Sequence, residues 1–425
     1  MNVLAAIVES ERANAALAWS IVAAIVVTAI VSARAGTYVW AALATTTAVL
    51  ALVPTLRRWD PLVMLPWEVL ALAAAPLVVG LVASVPIAGF LTVATIALLI
   101  AVELDAYTSV EMTSRFAVSF VVLVTMAVAG CWVVLQWTSD ALLGTAHLTG
   151  VVDVMWDIVY ATAFGGLAGV LFVLYFFKRD DAGYGDLTQE QDGEGNRDER
   201  GDHRSSSEPE TTDSDTVLGL PKRQCWQGVR LLQGGLALLV GYAVVTVDPA
   251  LFVNAALPLA LTFAPALVRR TSGHEMGAGL ALWIAAAAFL HTVGAIGLYT
   301  AFGWFDQFTH TLSATLVAGL GYAVVDALER TESDVDFPTE FRFVFLVIFV
   351  LAFGVAWEIL EFAAGGLASL VGGDAVLTQY GTDDIALDLL FNAVGAVLVG
   401  LWGTGYFDGL ARVFTNRFDD SSDVV

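Results

Sequence analysis

Long runs of apolar residues, separated by short polar breaks, are the dominant pattern along this chain. Most runs hold about twenty residues, the length that an α-helix needs to cross the roughly 30 Å hydrocarbon core of a bilayer. Six runs lie in each half of the chain, near 14–33, 37–56, 62–82, 84–103, 115–137, 153–177, 226–246, 249–267, 278–300, 305–327, 341–367 and 384–404. The pattern predicts an all-α membrane protein with about twelve transmembrane helices.

Composition agrees with this prediction. Of the 425 residues, 58% are hydrophobic and only 14% are charged, whereas a soluble protein carries about 25% charged residues. The first apolar run is too long for a signal peptide and lacks a cleavage pattern, so we interpret it as a span. The lipid bilayer is therefore the first expected partner.

A polar segment divides the two halves. It contains "KRDDAGYGDLTQEQDGEGNRDERGDHRSSSEPETTDSDT", which has almost no large apolar residue. Such a segment cannot bury enough surface to offset the entropy cost of ordering, which predicts disorder. We therefore divide the chain into a first membrane unit at 1–177, an acidic cytoplasmic linker at 178–224, a second membrane unit at 225–412 and an acidic tail at 413–425.

The chain is strongly acidic, with 42 Asp and Glu against 19 Lys and Arg and a net charge of −23. Acidic, lysine-poor surfaces are typical of salt-adapted archaea, which is the interpretation we favour. The alternative is an ordinary protein that carries one acidic linker. Either way, this charge disfavours nucleic acid as a partner.

Basic residues predict the orientation, because they concentrate in the cytoplasmic loops of membrane proteins. In the twelve-span arrangement the short loops on one side hold only Arg34. The opposite side holds Arg12, Arg57, Arg58, Arg115, Lys178, Arg179, Lys222, Arg223, Arg269, Arg270, Arg330, Arg342, Arg412 and Arg417. We expect a multi-pass protein of the cell membrane with both termini in the cytoplasm.

The two halves resemble each other in sequence. "LVPTLRR" (52–58) matches "APALVRR" (264–270), "CWVVLQW" (131–137) matches "AWEILEF" (356–362), and "DVMWD" (153–157) matches "DIALD" (384–388). The offsets of 212, 225 and 231 rise steadily, as a duplication with small insertions requires. Because each copy has an even number of spans, both copies face the same way, which predicts two parallel six-helix repeats.

Polar residues inside the spans concentrate in the second copy. Asp306 and His310, Glu358 and Glu361, Asp384 and Asp388, and Asp388 and Asn392 are spaced three or four residues apart. Each pair therefore shares one helix face. The rise of about 1.5 Å per residue places them at similar depth in the outer half of the bilayer, with His291 somewhat deeper. Ionised acids at this depth need a partner or a ligand.

Plainer interpretations stay open for single residues. One embedded acid such as Glu358 can be protonated and bridge two helices. Asp306 and Asp384 can cap helix N-termini near the surface. Tyr380 and Thr382 can be ordinary turn residues. These interpretations explain the residues one at a time, whereas the whole set favours a polar site.

Four segments carry a resemblance to a known family: "LHTVGAIGLY", "FDQFTHTLSA", "WEILEF" and "QYGTDDIALDLLFNAVGA". Residues 265–404 resemble the YjdF-type family of bacterial and archaeal inner-membrane proteins. They are more distantly similar to VanZ-like proteins, which are linked to glycopeptide resistance. The shared pattern falls here on Asp306, His310, Glu361 or Glu358, Asp388, Asn392, Gly395 and Ala396. The resemblance implies a site at these residues without implying a substrate.

Three functions are compatible with such a site. The first is a metal-dependent enzyme that acts on a lipid or lipid-linked substrate from the outer leaflet. Its residues would be the divalent-metal ligands Asp306, His310, Glu361 and Asp388, the general base Glu358 and the orienting residue Asn392, with His291 and Asp384 as further candidates. The second is a transporter with a proton or cation relay. The third is a structural or accessory protein whose acids lock helices together.

Overall fold

The computed structural model describes residues 11–83, 86–107, 114–180, 220–273, 275–331, 337, 339–371, 377 and 379–402. Most of the predicted linker, and the whole of the predicted acidic tail, lie outside these residues. The described part of the chain is helical and contains no strand, which confirms the all-α class.

Six helices form the first half: α1 Glu11–Arg34, α2 Tyr38–Arg58, α3 Trp67–Ala83, α4 Pro86–Tyr107, α5 Ser114–Leu143 and α6 Val151–Asp180. Seven form the second half: α7 Lys222–Thr246, α8 Pro249–Leu261, α9 Ala264–Ser272, α10 Ala278–Val293, α11 Phe305–Thr331, α12 Thr339–Val371 and α13 Thr382–Trp402. After α10 the chain continues through one π-helical turn, Gly294–Leu298, and a short helix, Tyr299–Ala301.

Nine of the described helices are long and apolar enough to cross a membrane: α1, α2, α5, α6, α7, α10 with its extension, α11, α12 and α13. The pair α8 and α9 is bent by 42° and would make a tenth crossing, while α3 and α4 are shorter apolar helices. A helix therefore lies at each predicted span, and a total of twelve crossings stays a prediction.

The bend between α8 and α9 has a local cause in the sequence. Pro258 lies inside α8 and Pro265 lies in the first turn of α9, and each proline removes a backbone donor. Between the two helices, the hydroxyl of Thr262 donates to the carbonyl oxygen of Leu259 and accepts a bond of 3.1 Å from the amide of Gln233 on α7. These bonds satisfy polar groups that the break exposes.

The helices pack in a similar order in both halves. In the first half α1 packs against α2 and α3, and α6 packs against α4 and α5. In the second half α7 packs against α8 and α10, and α13 packs against α11 and α12. The halves meet where α5 contacts α12 and α13 and where α6 contacts α12.

A buried apolar cluster fills this junction. Val133 on α5, Met155 and Ile158 on α6, Val355 on α12 and Leu389 on α13 are all at most 4% exposed. A Cβ atom added to Gly130 of α5 would lie 3.0 Å from Cγ2 of Val355, so the absence of a side chain at Gly130 lets α5 and α12 approach closely. The junction holds α12 and α13, which carry most of the candidate residues.

Candidate functional site

Helices α11 and α13 approach closely at a glycine. A Cβ atom added to Gly395 would lie 2.6 Å from Cβ of Ala314 and 2.7 Å from the carbonyl oxygen of Thr311. The hydroxyl of Thr311 also donates to the carbonyl oxygen of Phe391, at 3.3 Å. This contact brings the polar faces at the N-terminal ends of α11 and α13 together.

Three side chains meet at that contact. Nε2 of His310 lies 3.5 Å from Oδ1 of Asp306 and 3.4 Å from Oδ2 of Asp388. The side chains of His310, Asp306 and Asp388 are 11%, 12% and 4% exposed. One donor atom from each lies within 4.8 Å of the others. Among the described residues they form the one cluster that could hold a metal ion.

The distances between the side chains of the Asp306–His310–Asp388 cluster differ from those of ordinary hydrogen bonds. A nitrogen–oxygen hydrogen bond is typically about 2.7–3.2 Å long, so both distances from His310 are longer than a typical bond. Donor atoms around a tetrahedral ion with bonds of about 2.0–2.1 Å lie roughly 3.3–3.4 Å apart. The distances from His310 to the two aspartates therefore suit ligands of a small cation.

Asn392 and Asp384 are hydrogen-bonded to members of this cluster. The side chain of Asn392 is hydrogen-bonded to the ring of His310, and the carboxyl group of Asp384 is hydrogen-bonded to that of Asp306. Oδ2 of Asp384 also accepts a bond of 2.8 Å from the backbone N–H of Tyr380. A hydrogen bond between two carboxyl groups requires a proton on one of them, because two carboxylates have no donor.

Glu358 is almost completely buried, at 1% exposure. Its Oε2 accepts a bond of 2.8 Å from the side-chain amide of Gln379, whose nitrogen also lies 3.3 Å from Sδ of Met155. Within the described residues, Oε1 of Glu358 and Oδ1 of Asp388 are buried and have no hydrogen-bond partner. Each of these two buried carboxyl groups thus has one oxygen that the described residues leave without a hydrogen bond.

Glu361 lies one turn further along α12 and is 9% exposed. Its Oε1 accepts a bond of 2.9 Å from the indole N–H of Trp357. Glu361 is not part of the Asp306–His310–Asp388 cluster. Its position as a fourth metal ligand therefore stays a prediction, although its charge interacts with those of Asp384 and Asp306.

His291 belongs to a different group of side chains. Its Nδ1 lies 2.9 Å from the hydroxyl of Tyr299, which also accepts a bond of 3.3 Å from the hydroxyl of Thr309. The π-helical turn makes this possible, because Gly297 has φ 143° and a side chain at Gly294 would collide with the ring of Tyr299. Turns of this kind frequently occur at functional sites.

Two neighbouring cavities open at the site. The larger, of about 880 Å³, is lined mainly by apolar residues of α8, α10, α11 and α12, together with His310 and Asn392. The smaller, of about 340 Å³, is more polar and is lined by Glu361, Tyr299 and Tyr380, among others. His291 lines both cavities.

The described residues of the first half support the site without contributing an acid to it. The indole N–H of Trp137 donates to Oδ1 of Asp383 at 2.9 Å, and Met155 contacts Gln379. Asp153 and Asp157 of α6 are exposed instead, and Oδ2 of Asp153 accepts a bond from the hydroxyl of Thr149.

The sequence-based prediction missed Gln379, Tyr299 and Trp357. Gln379 lies in a loop, and the spacing of residues does not predict the path of a loop. The role of Tyr299 depends on the π-helical turn. Trp357 had a detectable signal, since it precedes Glu361 by four residues and thus shares its helix face.

Comparison with known proteins agrees with a membrane protein. Residues 228–409 match a family described as predicted membrane protein (DUF2238), and residues 2–64 match a domain of unknown function (DUF8268). No curated protein matches the chain. No solved structure matches it either. The second half is thus similar to a family of membrane proteins, and the chain is a multi-pass membrane protein.

Proposed function

We propose that this protein is a metal-dependent membrane enzyme that acts on a lipid or lipid-linked substrate. The observation that carries the proposal is the buried cluster of Asp306, His310 and Asp388. Its His310 lines a mainly apolar cavity of about 880 Å³. A buried mixture of imidazole and carboxylate groups suits a divalent cation, and the cavity suits a hydrophobic substrate.

The balance of charge supports a cation at the cluster. Five carboxyl groups interact electrostatically here, those of Asp306, Asp384, Asp388, Glu358 and Glu361. Their partners among the described residues are uncharged donors and His310. Ionised acids buried without a cation are costly in a membrane, so a bound cation would relieve their repulsion and use the unpartnered oxygens.

Each residue has a role in this proposal. A cation held by Asp306, His310 and Asp388 would polarise a phosphoryl or acyl oxygen or activate a water molecule. Glu358 would accept a proton through its free Oε1, while Gln379 fixes its other oxygen. Asn392 would orient the ring of His310 as an outer-shell partner does. Glu361 would complete the ligand set from the polar cavity.

The packing of the helices supports two parallel repeats. Helices α5 and α12 hold the equivalent segments 131–137 and 356–362, and they contact each other. Helix α5 contacts α13, and α12 contacts the equivalent helix α6. Such a reciprocal arrangement is what a two-fold axis along the membrane normal requires. We propose twelve crossings in these two repeats.

The family match supports the predicted domain boundary. Residues 228–409 fall almost at the limits proposed for the second repeat, 225–412. We also propose that this repeat is of the YjdF type and that the protein lies in the cell membrane with both termini in the cytoplasm. We further propose that the linker is the acidic linker of a halophile. With this orientation, the site opens to the outer leaflet.

A proton- or cation-coupled transporter is the second candidate. It is favoured by the hydrogen bond between the carboxyl groups of Asp306 and Asp384, because a held proton is what a relay exchanges. Transport pathways usually lie between repeats near the midplane. Here the acids belong to one half of the chain, which is the reason for ranking the enzyme first.

Elemental analysis of the purified full-length protein in detergent tests the enzyme proposal. We expect stoichiometric divalent metal in the wild type and its loss in His310→Ala and Asp388→Asn, with Glu361→Gln reporting whether Glu361 is a ligand. Asp157→Asn, at an exposed position on α6, is the matched control and should retain the metal. A wild type without metal after incubation with Zn²⁺, Mn²⁺ or Mg²⁺ would refute the metal enzyme and favour the transporter.

A further inference from the structure

The large cavity is a groove between helices α8 and α12, which do not pack against each other. Helix α8 packs against α7 and α10, whereas α12 packs against α11 and α13. The groove lies between α8 and α12, and residues of α10 and α11 form its floor. Along α12 it extends from Val350 to Leu367, which is about 25 Å at 1.5 Å per residue.

The rim of the groove faces outward and is apolar. Leu257 on α8 is 66% exposed, and Leu360 and Leu367 on α12 are 55% and 62% exposed. In a membrane-spanning protein such side chains face lipid. The floor is buried and built from small residues, such as Ala288 on α10 and Ala314 on α11. The groove therefore opens sideways towards the hydrocarbon core.

The groove is apolar along most of its length, but its lining also includes His310 and Asn392. A wholly apolar occupant such as a helix would cover these polar side chains without offering them a hydrogen bond. A thin, flexible chain that ends in a polar group fits both facts.

We infer that the groove binds one hydrocarbon chain of a membrane lipid, which enters between α8 and α12. The polar part of this lipid lies in the adjoining cavity of about 340 Å³, beside Glu361, Tyr299 and Tyr380. The bond that reacts then lies near the cluster of Asp306, His310 and Asp388. This inference relies on the proposed function for the reaction, whereas binding of the chain requires only the groove.

Photo-crosslinking in vesicles tests the inference. The full-length protein is reconstituted into phosphatidylglycerol vesicles that contain phosphatidylglycerol with a diazirine in mid-chain. Labelled residues are then mapped by mass spectrometry. We expect labelling of the floor at Ala288 and Ala314 to exceed that of Ala281, which is fully buried outside the groove. Floor labelling no higher than that of Ala281 would overturn the inference.

Two variants fill the groove, and a third serves as the matched control. Ala287→Phe adds a ring to the floor and Ala364→Phe adds a ring to the α12 side of the groove, and each should lower floor labelling at least tenfold. Ala237→Phe adds the same ring at an exposed position on α7 and should leave it unchanged. Unchanged floor labelling in both filled variants would also overturn the inference, as would peptide crosslinks from the groove to a second copy.

Metal content measured on the same samples separates this inference from the proposed function. Filled variants that keep their metal but lose floor labelling support both. Floor labelling in a wild type without metal supports the groove and refutes the metal enzyme. A wild-type protein that contains metal but shows no floor labelling would support the metal site and overturn the inference that the groove binds a hydrocarbon chain.

Discussion

The side-chain nitrogen of Gln379 lies 2.8 Å from Oε2 of Glu358, so a loop residue holds one oxygen of a buried carboxyl group while the other has no partner among the described residues. Gln379 in turn contacts Met155 of the first half. The loop that precedes α13 thereby connects the candidate general base to the other half of the chain.

Removing the amide of Gln379 should destabilise the protein through Glu358. Gln379→Ala leaves a second buried carboxyl oxygen unpaired, which costs about 1–3 kcal/mol. We expect a lower thermal midpoint in detergent, and little further loss when Gln379→Ala is added to Glu358→Ala. Gln227→Ala, exposed on α7, should not change the midpoint. Additive losses in the double variant would show that the two residues are not coupled.

Asn392 should act through His310 on metal affinity. Loss of an outer-shell partner typically weakens metal binding about 10–100-fold, so Asn392→Ala should raise the dissociation constant of the wild-type metal by that factor. Competition with a chromophoric chelator measures this change. Ser313→Ala, which also lines the groove, is the control expected to bind normally. Unchanged metal affinity in Asn392→Ala would show that Asn392 does not position His310 for metal binding.

Gly395 should tolerate no side chain. In Gly395→Ala the added methyl would lie 2.6 Å from Cβ of Ala314, and overpacking of this kind costs about 1–3 kcal/mol. We expect a lower thermal midpoint together with weaker metal binding, because α11 and α13 separate. Gly241→Ala on α7, where nothing lies within 4 Å, should be neutral or slightly stabilising. A stable Gly395→Ala protein would contradict this view of the helix contact.

The exposed aspartates of the first half distinguish the two candidate functions. An enzyme confined to the second half should retain metal and lipid conversion when Asp153 and Asp157 are both changed to Asn. A pathway that uses both halves should lose cation flux in the same variant. Lipid mass spectrometry and flux across proteoliposomes, compared with Glu358→Gln, provide the two measurements.

Thiol labelling tests the predicted orientation. In a background with Cys131 and Cys225 replaced, Tyr380→Cys should react with an impermeant maleimide in intact cells, because Tyr380 lies at the site end of α13 and is 53% exposed. Thr271→Cys, exposed at the end of α9, should react only after lysis. The opposite pattern would place the site on the cytoplasmic side.

The sequence alone determined the helical class and placed helical structure at each apolar run in the described part of the chain, because a twenty-residue apolar run in a bilayer can satisfy its backbone only as a helix. It did not predict the break between α8 and α9 or the π-helical turn after α10. It also determined which polar residues share a face. Asp306 and His310 had to lie on one side of α11, since four residues make about one helical turn.

Only the tertiary structure decided which faces meet. Spacing fixes depth and direction within one helix, but the rotation of each helix about its axis depends on packing, here on the contact of Gly395 with Ala314. That rotation brings Asp388 to His310 and pairs Asp384 with Asp306. The groove has the same origin, because a gap between α8 and α12 reflects how separate helices pack and no local sequence rule specifies it.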